Sequence, residues 1–373
     1  MERLRVGIVG LGGMGNVHSD SWRENPRADI IAMCDIKPEK CDEYIKRTHI
    51  EDQGIKVYVD YKEMIEKEQL DVVDIATPND MHSVIAVYAL EHGINVFCEK
   101  PDAINAAEQK KMKDASEKNG KLLMIGFVRR FGNDCALLKD FIDNDQFGEI
   151  YYAESDYLKD FQEYHPLFPN IGGWRQKTYF GRRGHPYITH TIGPLLHIMN
   201  EKVTKVSCMA SGRAFDMPAD STCALMLETE KKHLIRLRAS FVSPRPDNVT
   251  YYSFQGTKGC YQGPQGPTDF HKIHIRGLCR PNEWRNVYDF RGFLPKEWDI
   301  FPENHFDDTK DNGTEKFDIG APLLLEAFAN CIINNTEPPV SAARALNWTA
   351  AGLLSEASVN GGGIPVEVPD FGL

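Results

Sequence analysis

Three groups of residues in this chain have types and spacings that can do chemistry. The first is Gly10-Leu11-Gly12-Gly13-Met14-Gly15, a G-x-G-x-x-G run set between an apolar strand-like stretch and a helical one. Glycines at these places allow a tight turn, let a pyrophosphate approach the backbone and let the helix pack closely on its strand. The start of the helix then offers free N–H groups and the positive end of its dipole to the phosphates. Asp35 stands 20 residues after Gly15, at the end of the next apolar run. A carboxylate there accepts hydrogen bonds from ribose hydroxyls and repels a 2′-phosphate. No arginine follows it at once, since Ile36 and Lys37 come next. The cofactor expected on these grounds is NAD rather than NADP.

The second group is the run from Gly184 to His197, which holds His185, Tyr187, His190 and His197. In a helix, His190 and His197 would share a face but lie about 10 Å apart along the axis, too far to share an ion. His185 and His190 could meet over a metal only if the chain bends, as Pro186 permits; no metal is the expected reading. His197, beside Leu196, Ile198 and Met199, reads as a hydrogen-bonded core histidine. His190 is the candidate for proton transfer or substrate binding. Tyr187 shares its face if the helix has already begun there, and could orient it or take over the proton.

The third group is a cluster of aromatic and basic residues just before that run. Tyr157, Phe161, Tyr164, His165, Phe168, Trp174, Tyr179 and Phe180 are interleaved with Arg175, Arg182 and Arg183. Sugar faces stack on aromatic rings, and guanidinium forks bond hydroxyls or carboxylates. Tyr157, Trp174, Tyr179 and Arg182 are the ligand-contact candidates, and packing accounts for most of the others. A further aromatic stretch, Trp284 to Phe306, could close over a site.

The elements that must hold these groups divide the chain in two. Apolar, β-branched runs at Leu4–Val9, Ile30–Cys34, Val72–Ala76, Asn95–Cys98 and Leu122–Gly126 alternate with helical patterns at Met14–Glu24, Pro38–Arg47, Tyr61–Lys67, His82–His92 and Ala106–Asn119. Such alternation predicts a doubly wound α/β Rossmann fold with a parallel sheet, assigned to residues 1–128. Strand patterns then follow one another at Glu149–Leu158, Val203–Ser211, Thr222–Glu228, His233–Phe241 and Tyr251–Gln255. They predict an α+β domain with a large, mostly antiparallel sheet over 129–373, for substrate binding and oligomerisation. Residues 262–317 read as long loops with short strands. A helix at 342–360, which could pack back toward the first domain, precedes a last extended piece, Ile364–Val368.

Composition narrows the partners. Among 373 residues, 42% are hydrophobic and 26% charged, enough apolar material for two cores. A net charge of −11 with no basic run argues against a nucleic-acid partner. No apolar stretch approaches the roughly 20 residues that a bilayer requires, so no membrane partner is expected. Nine scattered cysteines without a Cys-x-x-Cys pair, and an N-terminus without a leader-like apolar core, point to a cytoplasmic location.

Two motifs behind the glycine run carry a resemblance. Asp74-Ile75-Ala76-Thr77-Pro78-Asn79 with His82, then Gly93-Ile94-Asn95-Val96-Phe97-Cys98-Glu99-Lys100-Pro101, are similar to the signature of the Gfo/Idh/MocA oxidoreductases. The segment from Pro338 to Val368 resembles the family's closing helix and strand. The resemblance implies that Thr77, Pro78 and Asn79, with His82 and Glu99, lie along the nicotinamide half of NAD. It implies an unusual Lys100–Pro101 peptide geometry and a Lys100 ammonium aimed at the substrate hydroxyl. Hydride loss from a carbinol builds alkoxide character, and a nearby ammonium lowers the cost of that charge. Arg129 or Arg130 would reach a cofactor phosphate or a substrate oxygen, but adjacent extended residues point opposite ways.

Ordinary dehydrogenases of the family carry an Asp four residues before the His and another three after it. Here Pro186 and Gly193 take those places. What remains, Tyr187-x-Thr189-His190-x-x-Gly193-Pro194, resembles the family's NAD-dependent glycoside hydrolases. Three functions follow. The first is an NAD-dependent dehydrogenase acting on a ring hydroxyl, such as C3, of a sugar or glycoside, with Lys100 and His190 as above. The second is a hydrolase that oxidises C3 transiently, eliminates the C1 substituent, adds water and returns the hydride. The third is a non-catalytic NAD(H) sensor. The apolar alternation over 222–241 also suggests a homo-oligomer, at least a dimer.

Overall fold

The computed structural model describes residues 3–127, 133–160, 174, 178, 181–213, 219–245, 251–266, 268–293 and 315–373. Arg129, Arg130, Tyr179 and the stretch 294–306 lie outside them.

Contacts within the chain define two compact units, one of Met1–Val128, Glu315–Leu346 and Phe371–Leu373, the other of Arg129–Thr314 and Asn347–Asp370. The first unit opens as β1 (Leu4–Val9), α1 (Gly13–Glu24), β2 (Ala28–Cys34), α2 (Glu39–Thr48), β3 (Lys56–Tyr58) and α3 (Tyr61–Lys67). It continues as β4 (Val72–Ile75), α4 (His82–Glu91), β5 (Asn95–Cys98), α5 (Ala106–Asn119) and β6 (Leu123–Ile125). Its six strands are parallel, in the order β3-β2-β1-β4-β5-β6. The order reverses beside β1, so the crevice beyond the carboxyl ends of β1 and β4 is the switch point at which such sheets bind ligands. Every residue of β4 is buried, as a parallel strand covered on both faces requires. That burial makes Asp74, in the middle of an otherwise apolar strand, a residue that needs a partner.

The second unit begins with α6 (Asn133–Asp143), β7 (Ile150–Leu158) and α7 (Thr189–Met199). There follow β8 (Val203–Ala210), β9 (Thr222–Thr229), β10 (Leu234–Ser240), β11 (Tyr252–Gly256), β12 (Gly259–Gln262), β13 (Lys272–Ile275) and β14 (Arg285–Asn286). The chain then returns to the first unit with α8 (Glu315–Asn334), enters α9 (Ala342–Asn360) and ends with β15 (Val366–Glu367). The sheet of the second unit runs β14-β13-β12-β11-β7-β10-β9-β8-β15. All its pairs are antiparallel except β10 with β7. Alternate residues of β9 and β10, Leu225, Leu227, Ile235 and Leu237, fill the core face, as a half-buried sheet demands.

The Rossmann fold and the mixed, mostly antiparallel second sheet are those expected from the sequence. β3, α6, β12 and α8 have no counterpart among the elements expected from the sequence. β3 is only 3 residues long and none of them is buried, so it carries no apolar run. α8 packs on α1 within the first unit, placing Phe328 6.0 Å from Phe97 between ring centroids. A helix so far along the chain gives no sign, in its own pattern, of which core it will join.

Candidate active site

The glycine turn sits as its sequence dictates. Gly10 has φ +96°, and a Cβ there would lie 2.7 Å from the Ala76 carbonyl oxygen. At Gly15 a Cβ would meet the Gly10 carbonyl oxygen at 1.8 Å, so no side chain is tolerated where α1 crosses the turn. Gly12 and Gly13 face open space, and no side chain caps the first turn of α1. Uncapped N–H groups beside a glycine surface with room above it suit a pyrophosphate. Asp35, buried just past β2, accepts from the Leu11 N–H (2.8 Å) and the Lys37 N–H (2.9 Å). These two bonds fix the carboxylate against the turn and leave further lone pairs on both oxygens for ribose hydroxyls.

Beyond β4 and β5 lies a buried chain of charges. Asp74 accepts from Trp22 Nε1 through Oδ2 (2.7 Å), and its Oδ1 is 2.9 Å from His18 Nδ1. His18 Nε2 is 3.4 Å from Glu99 Oε1, and Glu99 Oε2 is 4.0 Å from Lys100 Nζ. Gly126, after β6, leaves the space for Glu99, because a Cβ there would lie 2.8 Å from Oε1. Burial pulls the His18 pKa down, but the charge and hydrogen bond of Asp74, with those of Glu99, overcome it and push the pKa up to about 10. Burial would raise Glu99, yet the His18 hydrogen bond and the Lys100 and His18 charges hold it below the usual carboxylate range. The Lys100–Pro101 peptide is cis.

His82, at the start of α4, sets Nδ1 2.8 Å from the Pro101 carbonyl oxygen and Nε2 2.9 Å from that of Thr77. Burial draws its pKa down against those two carbonyls. A neutral ring has a single N–H and satisfies one of them at a time. His82 thus faces backbone with both nitrogens and ties the Thr77 turn to the residues after Lys100. Asn79, also buried, donates toward the Pro101 carbonyl at 3.5 Å.

In the second unit, Tyr187 Oη and His190 Nε2 are 3.0 Å apart. The His190 ring stacks on Tyr157 at 5.6 Å with 7° between planes, and Tyr187 meets the same ring edge-on at 6.1 Å. Tyr187 lies before α7, which begins at Thr189, so the lead-in to the helix rather than a shared helical face brings the pair together. That lead-in is anchored by α9. Ser355 Oγ accepts from the His185 N–H (2.8 Å), and Gly184, at φ +72°, has no room for a Cβ beside Ser355. Arg182 donates through Nε (2.9 Å) and Nη2 (2.7 Å) to Glu356, which commits its guanidinium to α9. Trp174 is half-buried, and its carbonyl accepts from the Thr178 hydroxyl (3.2 Å).

Residues 4–127 match the model of the oxidoreductase family's NAD-binding Rossmann fold, and residues 135–262 match the Gfo/Idh/MocA C-terminal domain. This chain belongs to the Gfo/Idh/MocA family. Its first unit is therefore an NAD-binding domain, as the glycine turn indicates. Residues 216–373 also match the C-terminal domain of glycosyl hydrolase family 109. A glycosyl hydrolase family 109 protein of Shewanella pealeana is 24% identical over the full chain and 86% of its own length. An alpha-N-acetylgalactosaminidase of Shewanella oneidensis is likewise 24% identical over the full chain and 85% of its own length. Levoglucosan dehydrogenase in complex with NADH superposes with a TM-score of 0.81 at 23% identity, covering 99% of this chain and 100% of that one. For a Gfo/Idh/MocA protein, the departure at Pro186 and Gly193 has a visible counterpart: a phenol and an aromatic face stand beside His190.

Sequence reasoning missed His18, Trp22 and Gly126. The signal for the first two was present. An acidic residue inside an apolar strand calls for donors, and His18 and Trp22, four apart on α1, share one helical face.

Proposed function

We propose that this protein binds a sugar or glycoside and oxidises one of its ring hydroxyls, with C3 as the candidate position. Lys100 polarises the hydroxyl oxygen, and His190 with Tyr187 removes its proton. The observation that carries this reading is the Tyr187–His190 pair at 3.0 Å against the Tyr157 ring. It combines a proton-transfer couple with an aromatic surface, the two things a ring hydroxyl needs for deprotonation and for binding. NAD, when bound, supplies the acceptor for the hydride. Gly10, Gly12, Gly13, Met14 and Gly15 hold its pyrophosphate and Asp35 its ribose, while Thr77, Pro78, Asn79, His82 and Glu99 flank the nicotinamide half.

The match over 216–373 and the names of the Shewanella relatives support a second reading, net glycoside hydrolysis. There the Tyr187–His190 pair also takes the proton from C2, beside the oxidised carbon. The C1 substituent leaves and water takes its place, with no net change in the cofactor. A panel of aryl glycosides incubated with protein and NAD separates the two. Reduced nicotinamide accumulating in step with substrate supports the dehydrogenase. Free aglycone without it supports the hydrolase, and neither product on any member of the panel rejects both.

A further inference from the structure

Four ionisable groups follow one another without interruption from the middle of β4 to Lys100. Asp74 is fully buried, His18 is 1% exposed and Glu99 4% exposed, so solvent does little to screen them. Each neighbour alternates in sign: the Asp74 carboxylate, the His18 ring, the Glu99 carboxylate, the Lys100 ammonium. The His18 ring settles its own charge by geometry. Both nitrogens face carboxylate oxygens, which only accept, so both must carry a proton and the ring is an imidazolium. A buried ionic set of this kind is costly to build and is strongly destabilised when one member is lost. Its outer end is a residue to which catalysis is assigned.

We infer that His18 is a positioning residue, whose buried positive charge orders Glu99 and, through it, sets the charge state of the Lys100 ammonium. The inference rests on the role proposed for Lys100 but is separable from it. With His18 charged, the set of two anions and two cations is neutral. Glu99 alone would draw a proton firmly onto Lys100, while the His18 charge behind Glu99 offsets part of that pull. Through Glu99, the His18 charge thus bears on the pH at which Lys100 loses its proton. Among the described residues, the set is also faced by Trp22 on α1, the Phe97 ring 5.3 Å from that of His18, and His82 at the start of α4, with Cys98 and Asp102 on either side of Glu99–Lys100. Of these, Trp22 satisfies the outer oxygen of Asp74 and directs the other toward His18.

The test reads Lys100 itself and needs no substrate. Competitive labelling of the full chain with trace acetic anhydride across pH, quantified on the Lys100 peptide by mass spectrometry, gives the pH at which that amine loses its proton. His18→Gln keeps one hydrogen-bond donor but removes the charge, and should move the Lys100 midpoint upward by about one unit. Glu99→Gln removes the anion at 4.0 Å and should move it downward by about one unit or more. Asp74→Asn, which takes away the anion behind His18 and lets its ring go neutral, should reproduce the upward shift and serves where the His18 variant does not fold. Shifts of opposite sign in the histidine and glutamate variants are the expected result. One common midpoint in all four proteins, or shifts of one sign only, would overturn the inference. Turnover of Lys100→Met on the glycoside panel is a separate measurement. An active variant there overturns the catalytic role of Lys100 and leaves the labelling result standing.

Discussion

At the residue scale, the proposed chemistry turns on Lys100, Asp35 and His18. Replacing Lys100 with Ala should leave the fold and NAD binding close to those of the parent. Turnover should fall by two to four orders of magnitude, about 3–5 kcal/mol of lost transition-state stabilisation, measured as kcat/KM beside a calorimetric NAD titration. Lys100→Arg should not restore it, since a planar guanidinium does not replace a compact ammonium. Asp35→Ala should narrow the preference for NAD over NADP, because it removes both the ribose acceptor and the charge that repels a 2′-phosphate; a parent protein that prefers NADP contradicts the assignment. His18 gives a stability signature with a definite sign. Its pKa rises from 6.5 to about 10 on folding, so its contribution is complete below pH 6.5 and is lost as pH climbs through about 10. Glu99 shifts the other way, so its contribution is present above its ordinary value and lost as pH falls through the lowered one. Urea midpoints measured from pH 6 to 10 should therefore fall more steeply for the parent than for His18→Gln.

At the element scale, geometry separates two glycine substitutions in the turn that the motif alone treats alike. Gly15→Ala places a methyl group 1.8 Å from the Gly10 carbonyl oxygen, and must displace α1 from the turn. It should cost several kcal/mol of stability, visible as a lower denaturation midpoint. Gly13→Ala meets nothing within 4 Å and stands at the start of a helix, where Ala is favoured by about 0.5–1 kcal/mol. It should fold as well as the parent or better, yet bind NAD more weakly, because the methyl group enters the space the pyrophosphate uses. Elements of this kind were legible in the sequence, since strand, turn, helix and acidic residue follow one another locally. So was the parallel sheet, whose buried strands announce themselves as apolar runs. The Asp74–His18–Glu99 chain was legible only in part: Asp74 calls for a donor, but the sheet order alone brings α1, β4 and the end of β5 together. The Tyr187–His190 pair was anticipated as a helical face but is made by a lead-in held by Ser355, a residue more than 150 positions away.

At the scale of the whole molecule, the chain supplies two kinds of surface: a nucleotide-binding switch point in one unit, and the Tyr187–His190 pair beside the Tyr157 ring in the other. The outer face of the second sheet adds a third. Arg236 pairs with Glu154 and Asp156 there, while Met209, Met226 and Leu234 stay exposed. Exposed apolar side chains beside an ordered ionic ladder suit a second copy of the same sheet, and light scattering should find at least a dimer. No described helix is long and apolar enough to cross a membrane. In the proposed reaction the bound cofactor and the Tyr187–His190 pair act together on a sugar ring. The most direct measurement is the loss of the ring proton. Incubation with NAD in deuterated water of a glycoside that the protein turns over, followed by NMR of the recovered sugar, distinguishes the outcomes. In the hydrolytic reading, oxidation at C3 acidifies the C2 proton and deuterium enters C2; in either reading, turnover should depend on NAD and fall by 10²–10⁴ in His190→Ala. Turnover without NAD, or turnover that proceeds equally well in His190→Ala, would contradict the proposed reaction.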